Sequence, residues 1–152
     1  MTEDSLHLCF DPDADGTGKL LARVHVRGFA GTGGAYFSVQ QIDKFSESLS
    51  TFPLPPIEHP TLAGGYWSRD IKTRLEQEHL AITAYPVGSR GQVGVQVRIA
   101  TELERGVRPN SQAVAKLELL TTYERLARFA KQLRSLAHGE ASEAVLEAEH
   151  LA

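Results

Sequence analysis

Residues 79–100, HLAITAYPVGSRGQVGVQVRIA, decide how the chain folds. Leu80, Ile82 and Ala84 alternate with their neighbours, and Val93, Val95, Val97 and Ile99 do the same beyond Gly88-Ser89-Arg90-Gly91. Side chains two apart share one face of a strand, and glycines bounding a short break suit a hairpin turn. The stretch therefore predicts an antiparallel hairpin with one apolar face.

The same period recurs on both sides of it. LHLCF puts Leu6, Leu8 and Phe10 on one face, and KLLARVHVRGF puts Leu20, Ala22, Val24 and Val26 on one face with Arg23, His25 and Arg27 opposite. Ala113 to Leu119 reads as a further strand, with shorter candidates at Ala35 to Phe37 and Gly65 to Arg69.

Two segments switch to helical spacing. Val39, Ile42, Phe45 and Leu49 form one stripe, opened by Ser38 and Gln41 as a capping box and closed before Pro53. Tyr123, Leu126, Phe129, Leu133 and Leu136 form the other, with Thr121 and Glu124 spaced as a box and Gly139 placed to cap the end. The stripes superpose at an offset of 84 residues, which suggests a two-fold internal strands-then-helix repeat. Its halves run from about 5 to 52 and 64 to 138, joined by the proline-rich connector 53–60 and followed by an acidic C-terminal tail, 139–152. One apolar stripe per helix and one apolar face per strand need each other. The expected fold is a single α+β domain over residues 1–152, a two-layer sandwich of a mainly antiparallel sheet with two helices on one face.

Composition narrows the function classes. With 41% hydrophobic and 23% charged residues the chain has the make-up of an ordinary globular protein. Cys9 is the one cysteine, so no intrachain disulfide forms and nothing requires an oxidising compartment. The acidic start, and the lack of an apolar run near the ~18 residues that span a bilayer, predict a cytoplasmic protein with no membrane partner. The net charge of −3 is uneven: residues 16–138 hold 16 bases against 10 acids, while both ends are acidic. No aromatic-basic motif accompanies the excess, so nucleic acid is not an expected partner.

Motifs that would carry cofactor chemistry are incomplete. DPDADGTGKL, residues 11–20, begins like a calcium loop, but the twelfth position is Ala22, where a bidentate glutamate belongs, and strand patterns flank it. It reads as a turn. DGTGK fails as a phosphate loop, because Asp13 and Leu20 stand where a P-loop has glycine and Ser or Thr, and GTGG, residues 31–34, reads more simply as a flexible turn before a strand. No metal-ligand spacing occurs among the histidines, and no cofactor is expected.

What remains is the open sheet face. Arg23, His25, Arg27, Gln96, Arg98 and Lys116, with Glu118, would form a polar surface favouring an acidic partner, since arginine bonds carboxylates bidentately. Tyr66 and Trp67, beside Arg69, are the most anchor-like aromatics. His7, Cys9 and His25 share the face as an alternative locus for a small enzyme or ligand binder.

Residues 64–100, GGYWSRDIKTRLEQEHLAITAYPVGSRGQVGVQVRIA, followed by AKLELLTTYERLARFAKQL at 115–133, carry a resemblance. This order of an aromatic-Ser start, a hairpin and a strand running into a final helix resembles a poorly characterised bacterial family that includes WapI-type toxin-immunity proteins. The resemblance covers roughly Leu20 to Leu136. It implies a non-enzymatic intracellular protein that binds another protein, such as a toxin, and it supplies no catalytic residues.

Overall fold

A computed structural model describes residues 4–149. The chain is an α+β sandwich in which eight strands divide into two antiparallel four-stranded sheets, where a single sheet was expected. Alternation shows which side of a strand is buried; it does not show which strands share a ladder, and the division lies in that gap.

The first sheet holds β1 (Ser5–Pro12), β2 (Thr17–Val26), β3 (Phe29–Ser38) and the short β8 (Ala144–Glu147), in the order β3-β2-β1-β8. β1 and β2 pair across the aspartate stretch, with Leu8 opposite Ala22 and Phe10 opposite Leu20. The stretch between them is a turn: Asp13 N–H donates to the Thr17 carbonyl at 2.8 Å, and Gly16 takes φ +83°. The Asp15 carboxylate accepts from the Thr17 hydroxyl at 2.6 Å and from its N–H at 3.1 Å. The Thr17 hydroxyl, more than its N–H, holds this acid below the usual carboxylate range.

The second sheet runs β4 (Thr61–Trp67), β5 (Leu75–Val87), β6 (Gln92–Ala100) and β7 (Val114–Thr122) in that spatial order. The expected hairpin is β5–β6, with Leu80 opposite Ile99, Ile82 opposite Val97 and Ala84 opposite Val95. All six of these side chains are buried. β3 lies across this sheet. A side chain built at Gly31 would meet Ala115 of β7, one at Gly33 would meet Ile99 of β6, and Gly64 of β4 is covered by Phe37 and Ala35.

Strands β3 and β7 run directly into the helices α1 (Val39–Leu49) and α2 (Tyr123–Ala137). Ser38 caps α1 in the expected box, its hydroxyl accepting from Gln41 N–H while the Gln41 side chain accepts from Ser38 N–H. At α2 the cap is Thr122, one residue beyond the expected Thr121, and it accepts from Arg125 N–H at 3.2 Å. Thr121 is buried instead and donates its hydroxyl to the Glu147 carbonyl. Ile42, Phe45 and Leu49 of one stripe, and Leu126, Phe129, Leu133 and Leu136 of the other, join a core shared with both sheets.

Two further segments depart from expectation. The connector, expected to be extended, bends at several residues and is anchored: Leu54 is buried and its N–H donates to the Tyr123 hydroxyl at 3.1 Å. Residues 144–147, expected within an acidic tail, form β8, which pairs with β1 from Ser5–Glu147 to Leu8–Ala144. Ala144, Leu146 and Ala148 face the core, so the acids at 143, 147 and 149 ride on a strand with a buried side.

Candidate functional site

On the outer side of the second sheet, away from the shared core, alternation presents Thr83 and Tyr85 of β5, Gln96 and Arg98 of β6, and Lys116 and Glu118 of β7. The ladder sets Gln96 opposite Glu118 and Arg98 opposite Lys116. Two cations therefore face each other directly, an arrangement that costs a sheet stability. Glu78 offsets part of it, its carboxylate 3.3 Å from Arg98 Nη1. The Tyr85 hydroxyl donates to Glu118. Burial first, then that bond and the carboxylate's charge, hold Tyr85 protonated well above the ordinary phenol range.

The β2–β3 turn reaches this sheet. Arg27 and Gly28 both take positive φ, +50° and +84°, as a two-residue hairpin turn demands, so Phe29 follows at once. Val26, Arg27 and Phe29 then line a shallow cleft of about 270 Å³ together with Lys116, Leu117 and Glu118. Phe29 is 70% exposed.

The expected single polar face is thus two faces. Arg27, Gln96, Arg98 and Lys116 come together on the second sheet and its border, whereas Arg23 and His25 lie on the outer side of the first sheet. There Arg23 stands opposite His7, and His25 opposite Ser5. His7 and Cys9 do share that side, on an open strand face with Cys9 exposed. No hydrogen bond joins Cys9 to a histidine among the described residues, because His7 is engaged by Ser5 and Glu143.

Sequence reasoning missed Phe29 and Glu143. The two-residue Arg-Gly turn was the available signal for the first; nothing local signals the second, which the fold brings to β1 from the α2–β8 connection. Tyr66 and Trp67 are both part-exposed at the end of β4, Trp67 by 42%, near the exposed Ile71. The neighbouring Glu102 carboxylate, before burial, holds Tyr66 protonated above its usual range.

No family model, no curated protein and no solved structure matches the chain. No helix among the described residues is long and apolar enough to cross a membrane.

Proposed function

We propose that this chain is a protein-binding module of the toxin-neutralising, immunity-like kind, acting in the cytoplasm and holding an acidic partner on the outer face of its second sheet. The observation that carries this reading is the direct opposition of Arg98 and Lys116, with Arg27 across the cleft beside an exposed phenylalanine. Like charges opposite each other destabilise a sheet by roughly 0.2–1 kcal/mol, and carboxylates from a partner relieve that cost on binding. An exposed aromatic beside arginine is the usual make-up of an interface anchor. The cleft is shallow and its floor is sheet, which suits a protein surface better than an enclosed small molecule.

The test is paired capture. Wild-type protein and the double variant Arg98→Glu, Lys116→Glu are used as baits in the source cells, and any partner retained by wild type alone is purified and titrated. Affinity is expected to fall about tenfold or more in the double variant and to weaken with salt. For a toxin partner, co-expression with wild type relieves the growth arrest and co-expression with the variant does not. Equal capture by both baits, or affinity unchanged by the reversal, overturns the reading.

A further inference from the structure

On the other sheet, and independently of that reading, we propose that Ser5 is an activated nucleophile in a Ser5–His7–Glu143 chain that transfers acyl groups from small esters to water. Ser5 and His7 are two apart on β1, so both point to the outer side of the first sheet, and His7 Nε2 lies 3.1 Å from Ser5 Oγ. His7 Nδ1 lies 2.5 Å from Glu143 Oε1. The pairing of β8 with β1, with His7 opposite Val145, carries Glu143 to this position.

The order of the three groups gives the chain its direction. A carboxylate at Nδ1 accepts a hydrogen bond, so the ring proton sits on Nδ1 and Nε2 is left as an acceptor. In the neutral ring the only proton available between Nε2 and Oγ is then that of the Ser5 hydroxyl. Ser5 therefore donates to a general base already oriented by an acid, the relation of groups in nucleophilic serine catalysis. A serine and histidine two apart on a strand often touch merely as surface polar groups; the carboxylate on the far nitrogen separates this case from that one. Across the ladder from Ser5 stands His25, whose Nδ1 is buried without a hydrogen-bond partner and lies 3.8 Å from the Asp4 carboxylate. The surroundings of Ser5 are polar and incompletely satisfied.

The step balances with water alone. Ser5 Oγ forms a bond to the ester carbonyl carbon as its proton passes to His7 Nε2. The tetrahedral adduct breaks its C–O bond to the alcohol, which leaves with that proton. Water then attacks the acyl-serine, again through His7, releasing the carboxylic acid and restoring Ser5. Because this face is open, the substrates are small esters with good leaving groups rather than long-chain ones. Ser5 and His7 are the catalytic residues; Glu143 is a positioning residue acting through His7.

The full chain is treated with a fluorophosphonate probe, which loses fluoride as serine Oγ bonds to phosphorus, and separately with p-nitrophenyl acetate; mass spectrometry of the peptides locates each adduct. A single adduct on Ser5 is expected, absent in Ser5→Ala. Its rate should drop about tenfold or more in His7→Asn. It should drop less in Glu143→Gln and recover partly in Glu143→Asp, which a merely structural role would not produce. Thermal melting of each variant separates lost reactivity from lost folding. The Arg98→Glu, Lys116→Glu variant should be labelled like wild type, so failure of the binding proposal leaves this one standing. Absence of an adduct, an adduct on another residue, or His7→Asn labelled as fast as wild type overturns the proposal.

Discussion

The two sheets are assembled by the same rule and differ in what they do with it. In each, three consecutive strands form a meander whose last strand runs into a helix, and the strand after that helix crosses to the other sheet: β4 leaves α1 to join β5, and β8 leaves α2 to join β1. The helix-feeding strand of the first sheet has glycine at 31 and 33 because it lies across its neighbour; that of the second carries Lys116, Glu118 and Leu120 on its outer side. A strand that crosses another sheet gives up side chains where the backbones approach. A strand covered on one side only keeps its full alternation, and with it a free polar surface.

The crossing strands offer the most forceful way to break this comparison. Leu146 of β8 is 1% exposed and Leu62 of β4 is 4% exposed. Truncating either to alanine should cost about 2–5 kcal/mol in urea denaturation. A loss below about 1 kcal/mol at Leu146 would demote β8 from a structural strand to an attached tail.

Next in size is the crossing itself. A Cβ at Gly33 would stand 2.4 Å from Ile99 Cγ2. Gly33→Ala should therefore destabilise by about 1–3 kcal/mol, as overpacking does. Adding Ile99→Ala should make the double variant less destabilised than the sum of the singles, and strict additivity would place the strain elsewhere.

The helix starts sharpen the comparison most finely. Ser38→Ala and Thr122→Ala should each cost about 1 kcal/mol by thermal melting. Gln41→Ala should cost about 0.5–1 kcal/mol more, since Gln41 returns a bond to the Ser38 N–H. Arg125 fills the equivalent place in α2 and makes no such return bond: its guanidinium donates to the Ala148 carbonyl at 2.7 Å. Arg125→Ala should leave the Thr122 cap intact and loosen the segment around Ala148 instead.

Most of the elements were legible because large side chains keep time. The alternation in residues 79–100 and the stripes at Ile42, Phe45 and Leu49 have counterparts at almost every position in the structure. Where side chains are small the rhythm is silent, so β3 was legible only at Ala35 to Phe37 although it begins at Phe29. β8 and the residue after it carry their signal in Ala144, Leu146 and Ala148, three alternating apolar residues among acids, too short to stand against the charge around them. Consecutive threonines hid the cap, because either fits the spacing and only packing makes Thr121 the buried one. The candidate site was legible as a set of polar residues but not as a place. Its division between two sheets depends on ladder partners, and the approach of Glu143 to His7 depends on a strand pairing between distant parts of the chain.

That pairing also sets an order of events during folding. Ser5 meets Glu147 across the β1–β8 ladder, so the first sheet closes through a contact between residues far apart in sequence. Contacts of such long range carry the largest loop-closure entropy and form slowly. Until they form, the side of β1 away from β2 is an open backbone edge, able to recruit a strand from another chain. The acids at 140, 143, 147 and 149 lie in and beside the segment that closes it. They make the late-arriving strand soluble while it waits, and they discourage two such strands from pairing with each other before either finds its own β1.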